Sequence, residues 1–381
     1  MKILIASDCY KPIINGLVTS IDNLKSGLEA RGHEVRVLTL SNTRRSYKEG
    51  DAYYIGSRDL GRVYPGVIRF QACNSRKEMK EIIAWHPDII HTQSEFCTFF
   101  IAKRIAKRLS IPMVHTYHTI YEDYTHYFSA SRRVGKKVVI KATRYVSRSV
   151  NCIIAPTQKI NNILTRYHVA CPVQNIPTGI TLDKFAAAAQ PGEIAALKDS
   201  LGVPQEHFVM LSVSRIGKEK NINELIEYMN TLKDKPVSMI LVGDGPAREN
   251  LQKQIDKAGL HDVVKFTGMV KPQDVPTFYK MADLFISAST SEAQGLTYIE
   301  ALATGTPLLC RKDDCLEGVL HEGENGFYFT NQDEFLQHLS YFMGADYAKE
   351  TMAQSTKATA EYFTKDNFVN TVERLYQSFV N

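Results

Sequence analysis

The polar and apolar positions of the chain repeat in a fixed order. Met1–Ala6 is a short apolar run (KILIA) closed by Ser7 and Asp8, and a polar loop with Asn15 and Gly16 follows. From about Val18 to Arg31 the apolar residues are spaced for one helix face, Gly32 stops the helix, and Glu34–Leu40 (EVRVLTL) suits a buried strand. Strand, glycine-bearing loop, helix and strand make one βαβ unit of a parallel sheet. The alternation continues through strands at Asp88–His91, Pro112–Thr116 and Cys152–Ala155, with a helix near Phe99–Leu109.

Around Asn175–Gly179 (NIPTG) the pattern breaks into a polar, Ala-rich stretch with Pro191. It then restarts, with strands at Val209–Val213, Ser238–Val242, Val263–Phe266, Leu284–Ser287 and Thr306–Cys310, and helices such as Asn223–Lys233 and Arg248–Ala258. Two such cycles predict an α/β chain of two Rossmann-like, doubly wound parallel-sheet domains facing across a cleft, residues 1–178 and 179–365. The last segment, 366–381, is amphipathic through Phe368, Val372, Leu375 and Phe379, and either caps the second domain or crosses back to the first.

Composition narrows the class. A chain of 381 residues, 44% hydrophobic, has apolar material for two cores. No run approaches the ~18 apolar residues of a membrane span, and the N-terminus lacks the longer apolar stretch of a secretory signal. The cysteines (Cys9, Cys73, Cys97, Cys152, Cys171, Cys310, Cys315) are scattered and odd in number with no CxxC pair, so neither a disulfide framework nor a cysteine zinc site is expected. The chain reads as cytoplasmic. Its charge is uneven: residues 1–178 carry 27 Lys and Arg against 13 Asp and Glu, the remainder 19 against 28. Only the first half is suited to face a polyanion, either nucleic acid or an anionic membrane.

Candidate chemistry lies where predicted strands end. Ser214–Asn221 (SRIGKEKN) follows a strand, and Arg215 and Lys220 there suit a pyrophosphate, because charge-assisted and bidentate bonds are strongest to phosphoryl oxygens. They would also stabilise a departing diphosphate. A solvated loop of charges has the same spacing. Downstream, Ser291–Ala301 (SEAQGLTYIEA) follows the LFIS strand, and Gly295 opens a helix. Backbone N–H groups around Gln294, Gly295 and Leu296 can hold anions or sugar hydroxyls. Glu300, about a turn further on, can accept vicinal ribose hydroxyls, and Glu292 can bond the hydroxyls of a transferred sugar. A surface helix with helix-favouring glutamates is the bland alternative.

R-x4-K at 215–220, G-D-G-P at 243–246 and E-x7-E within SEAQGLTYIEALATGTPLL resemble glycosyltransferase family 4 over essentially the whole chain. The resemblance implies a GT-B fold and a retaining, nucleotide-sugar-dependent hexosyltransferase, with no tightly bound cofactor and no essential metal. It implies that Arg215 and Lys220 bind the donor diphosphate, Glu300 the ribose and Glu292 the sugar. It also implies that Gly16 lies near the phosphates and that backbone around Met269 and Val270 holds the base.

His115–Tyr127 (HTYHTIYEDYTHY) is the densest polar-aromatic stretch of the chain. His115, His118, Glu122 and His126 have the spacing of a metal site on one helix face, though no matching further ligand is evident. Aromatic packing with backbone-bonded histidines fits equally. By resemblance to the family, His118 supplies its ring or its carbonyl beside positive charge developing at the anomeric carbon. Tyr117, Tyr121, Glu122 and Tyr124 are acceptor candidates. NGLVTSI at 15–21 together with HTYHTIYEDYTHYF is similar to the bacterial diacylglycerol glucosyltransferase subgroup, which implies UDP-glucose as donor and the 3-hydroxyl of 1,2-diacylglycerol as acceptor. Other acceptors remain open, among them phosphatidylinositol, a cell-wall polymer or a small molecule such as malate, as do a GT-B epimerase and a non-catalytic nucleotide-binding protein.

Arg132, Arg133, Lys136, Lys137, Lys141, Arg144 and Arg148 form an acid-free segment interleaved with Val134, Val138, Val139, Ile140 and Val146. Such a pattern suits a helix lying on anionic lipid, and also a solvated basic face. With no RRM, KH or zinc-finger motif, nucleic acid is not the expected partner. The expected place is the inner face of the cell membrane, held peripherally.

Overall fold

The computed structural model describes residues 1–59, 69–71, 75–127, 129, 131–187, 189–344 and 349–380; the side chains of residues 126, 127 and 349–351 are outside the description, as are Cys73 and the other remaining residues. The chain divides into two compact units, Met1–Gly179 with Lys365–Asn381, and Ile180–Thr364.

The first unit is built on strands β1 (Lys2–Ala6), β2 (Glu34–Leu40), β3 (Tyr47–Glu49), β4 (Ala52–Ile55), β7 (Ile89–Thr92), β8 (Met113–Thr116), β9 (Cys152–Ala155) and β10 (Val173–Asn175), with β5 (Ser57–Asp59) and β6 (Arg69–Gln71) paired apart. Its sheet runs β10-β9-β8-β7-β1-β2-β4-β3. All neighbours are parallel except β3 on β4. Helices α1 (Gly16–Ala30), α2 (Arg76–Trp85), α3 (Cys97–Leu109), α4 (Arg132–Ser147) and α5 (Gln158–Arg166) connect the strands. Asn15 caps α1, its side chain accepting from the Val18 N–H at 2.9 Å. From β1 the chain builds outward through β2 and β4, then restarts on the other side with β7. The order therefore reverses between β1 and β7, where loops at the carboxyl ends diverge and leave a crevice.

The second unit has α6 (Asp183–Ala186) and α7 (Glu193–Leu201), then β11 (Phe208–Val213), α8 (Ile222–Met229), β12 (Val237–Val242), α9 (Arg248–Ala258), β13 (Val264–Gly268), α10 (Val275–Met281), β14 (Leu284–Ser287), α11 (Leu296–Ala303), β15 (Leu308–Arg311), β16 (Gly326–Phe329), α12 (Gln332–Met343) and α13 (Lys349–Tyr362). The sheet order is β13-β12-β11-β14-β15-β16, all parallel. Leu211, Ile240 and Phe285 belong to one apolar cluster, and Met210, Met239, Leu241 and Leu284 to another. Burial on both faces explains why these strands read as continuous apolar runs. The reversal here falls between β11 and β14.

The final helix, α14 (Lys365–Val380), packs in the first unit with Val369, Val372, Leu375 and Tyr376 buried beside Leu24 and Leu28 of α1. The approach is close: a Cβ on Gly27 would lie 2.4 Å from Val369 Cγ2. Arg31 and His33 both bond Glu373, each at 2.8 Å, and Arg31 first, then His33, holds that carboxyl below its ordinary range. This resolves the choice left open by its amphipathic spacing.

Candidate active site

The two second-unit loops singled out in the sequence leave β11 and β14, the strands that flank its reversal point. Adjacency of these strands brings together residues some 70 positions apart. Lys220 forms an ion pair with Glu292, and each side chain is mostly buried. Arg215 pairs with Glu219, whose side chain is only 3% exposed, and Ser291 Oγ donates to the Glu219 carbonyl at 3.2 Å. Each cation therefore stands beside a carboxylate, which offsets part of the cost of taking either charge out of water. Behind them the G-D-G-P loop clamps the backbone, with the Ile216 N–H on the Asp244 carbonyl at 2.9 Å and the Gly243 N–H on the Gly268 carbonyl at 3.0 Å.

Gly295 opens α11 with φ +73°, and a Cβ there would meet the Tyr298 ring at 2.3 Å. Only glycine makes this turn without strain. It brings the α11 N-terminus directly after Glu292 and the buried Gln294, with Leu296 partly buried against the core. Glu300 sits in the second turn, one oxygen accepting the Tyr279 hydroxyl at 2.8 Å. Burial raises its pKa above the ordinary carboxylate value, against that hydrogen bond. Met269 and Val270 follow β13, Met269 at 63% exposure and Val270 packed on the core. Gly16 is exposed at the start of α1 in the first unit.

The first unit gathers a polar cluster at its own reversal point. The Asp8 N–H donates to Ser94 Oγ at 2.7 Å, and Asp8 Oδ1 accepts the Thr98 N–H at 2.8 Å. Burial pushes the Asp8 carboxyl up to about 6. His118 Nε2 lies 2.5 Å from Gln93 Oε1; desolvation, then neighbouring His115, lowers the His118 pKa to about 3. The imidazole is therefore neutral at physiological pH. His115 lies between Thr92 Oγ1 at 2.9 Å and Glu95 Oε1 at 3.2 Å, and the Tyr121 hydroxyl donates to Glu95. His91, bonded to Tyr376 at 2.6 Å and Thr116 at 2.7 Å, is held neutral by burial.

Asp8, Gln93 and Glu95 were not singled out in the sequence, although all follow predicted strands, the same signal that marked HTYHT. Of the acceptor candidates, Tyr117 is buried at 1% exposure and Tyr121 and Tyr124 are partly exposed. Glu122 accepts the Tyr167 hydroxyl and pairs with Lys136 at 2.9 Å, bracing its loop against α4. Among the described residues no three His, Cys, Asp or Glu side chains group to hold a metal ion; the His126 side chain lies outside them.

Helix α4 turns Val139, Thr143 and Val146 inward and leaves Arg132, Arg133, Lys136, Lys137, Lys141 and Arg148 exposed. Arg144 is turned aside, its Nε donating to the Tyr167 carbonyl at 2.6 Å. The outward face also carries Val134 at 56%, Val138 at 53% and Tyr145 at 45% exposure. Beside Tyr145, α3 and its N-cap add the exposed Phe100, ring centroids 6.0 Å away, and Phe96. Among the described residues no helix is long and apolar enough to cross a membrane.

Parallel-sheet units whose polar loops gather at the carboxyl ends of strands flanking a reversal point are suited to binding nucleotide-linked groups. Comparison with known proteins specifies the class. Residues 14–184 match the family model for Glycosyltransferase Family 4, and residues 193–359 the model for glycosyl transferases group 1. The chain is 34% identical to an alpha-monoglucosyldiacylglycerol synthase of Acholeplasma laidlawii, covering 100% of this chain and 98% of that one. It is 35% identical to a protein of the same name from Streptococcus pneumoniae, covering 87% and 76%. Among solved structures, Anabaena HepE in complex with UDP and glucose superposes with a TM-score of 0.78 at 19% identity, over 99% of this chain and 100% of that one. The chain belongs to the family 4 glycosyltransferases and has their GT-B fold.

Proposed function

We propose that this glycosyltransferase moves glucose from UDP-glucose to the 3-hydroxyl of 1,2-diacylglycerol, with retention of the α configuration, while bound peripherally to the inner face of the cell membrane. The observation that carries the lipid assignment is the outward face of α4, where exposed Val134, Val138 and Tyr145 stand among five exposed cations, Arg132, Arg133, Lys137, Lys141 and Arg148. Apolar side chains left in water on a basic helix suit a lipid interface better than a solvated surface. At roughly 1 kcal/mol per cation near anionic lipid, these five contribute on the order of 5 kcal/mol at low salt. The names of the two synthases above point the same way.

In this reading the second unit takes the donor. Arg215 and Lys220 take the diphosphate and stabilise it as it leaves, Glu300 takes the ribose, and Glu292 the sugar hydroxyls once Lys220 turns to phosphate. The start of α11, at Gln294, Gly295 and Leu296, supplies N–H groups, the backbone at Met269 and Val270 holds the base, and Gly16 approaches the phosphates. These two cations provide the charge that the leaving group needs, so turnover persists in a chelator. The first unit takes the acceptor, with Tyr121 and Tyr124 as contacts, Tyr117 and Glu122 framing their loop, and His118 beside the anomeric carbon. The test is purified protein with UDP-glucose and diacylglycerol in anionic vesicles. An α-glucolipid is expected; transfer only to a water-soluble acceptor would overturn the lipid assignment and leave the family untouched, and donor turnover without any acceptor would favour an epimerase.

A further inference from the structure

Gln93 directly follows β7 with 2% exposure, and its backbone N–H donates to the Ala6 carbonyl at 2.8 Å, which anchors the stem of its side-chain amide at the β1–β7 reversal. That amide meets His118 through its oxygen, at 2.5 Å from Nε2. A carboxamide oxygen only accepts, so the shared proton is on Nε2. A neutral imidazole carries one N–H, and the other ring nitrogen is then a bare acceptor. Among the described residues Nδ1 has no hydrogen-bond partner within the chain.

We infer that Gln93 is a positioning residue that holds His118 as the Nε2–H tautomer, so that Nδ1 presents a lone pair to the transferring sugar or its acceptor hydroxyl. The opposite tautomer would point an N–H, the positive end of a dipole, at the place where positive charge develops. The ring's surroundings keep it neutral: burial first, then the charge that His115 would carry. The titratable groups facing it are His115 on β8, itself bonded to Glu95, and His91 on β7, bonded to Thr116 and Tyr376. Among the described residues none of these supplies an acceptor for Nε2, so the tautomer rests on Gln93. The inference builds on the proposed role of His118 but is measured separately from it.

The experiment is nitrogen NMR on the full-length protein labelled at histidine, with the His118 signals assigned by their loss in His118→Gln, between about pH 5 and 8. The native protein should show the Nε2–H tautomer throughout. Gln93→Leu, close in volume but with no acceptor, should give mixed or Nδ1–H tautomers and a roughly tenfold lower kcat at little-changed KM, the scale of one hydrogen bond. Gln93→Glu keeps the volume and the acceptor; it should retain Nε2–H and move protonation of His118 to higher pH, since a carboxylate favours the imidazolium. If Gln93→Leu does not fold, the Glu variant decides through its tautomer: a carboxylate only accepts, so Nδ1–H there would overturn the inference. An Nδ1–H tautomer in the native protein, or a tautomer unchanged in Gln93→Leu, would overturn the inference. The predicted tautomer change with unaltered kcat would uphold it and remove His118 from the chemistry instead.

Discussion

Glu300 can be tested in a way that separates function from stability. It is half-buried in α11, with one oxygen accepting the hydroxyl of Tyr279, a side chain with no exposure of its own. Burial raises its pKa, so ionisation costs more in the folded protein than in the unfolded chain. The sign follows: Glu300 adds stability when protonated, below its unfolded pKa, and that contribution is lost as pH rises through the folded value. Replacing it with Gln removes the buried charge yet keeps an oxygen for Tyr279, so Glu300→Gln should be at least as stable as the native protein at neutral pH. Glu300→Ala leaves the Tyr279 hydroxyl without its partner, costing about 1–3 kcal/mol, or roughly 2–4 °C of Tm per kcal/mol for a unit of this size. Function should rank differently. With one oxygen engaged by Tyr279, the other is left for ribose, and losing a single charged hydrogen bond costs about 1.5–3 kcal/mol, a rise in UDP Kd of roughly 10- to 150-fold. Both variants should show it. Calorimetric titration with UDP and thermal melts at two pH values measure the pair of effects. Unchanged UDP affinity in both variants would remove Glu300 from the ribose, and a Gln variant that melts well below the native protein at neutral pH would refute the desolvation argument.

Lys220→Ala should lower turnover by roughly 10²–10³, the scale of losing a transition-state charge contact; near-normal steady-state rates would take it out of the diphosphate site. Changing Arg132, Arg133, Lys137 and Lys141 together to Gln should weaken binding to anionic vesicles on the order of 4 kcal/mol at low salt and less at high salt, and sedimentation that shows full binding would contradict the membrane reading. Gly27→Ala should destabilise by about 1–3 kcal/mol, because its Cβ would lie 2.4 Å from Val369 Cγ2. Val369→Ala in the same chain should recover part of that, and additive losses in denaturant melts would mean that α1 and α14 do not meet there.

The sequence alone determined the alternation of βα elements, its restart after Gly179, and the loops that carry Arg215, Lys220, Glu292 and Glu300. Those are local facts: an apolar run of strand length, a turn, and polar groups at the strand's end. It passed over the edge strands β3, β10 and β16, short segments with exposed or partly exposed residues and a weak pattern, and also the short buried strand β4. Only the tertiary structure decided what each local element meets. It put β11 beside β14, and so Lys220 beside Glu292; it carried α14 back onto α1 and turned Arg144 away from the basic face of α4. It also assembled Asp8, Gln93, Glu95 and His118 from three strand ends. Periodicity fixes which face of an element is apolar and where the element stops. Strand order and long-range packing are set by how all those faces bury together, and no single segment carries that information.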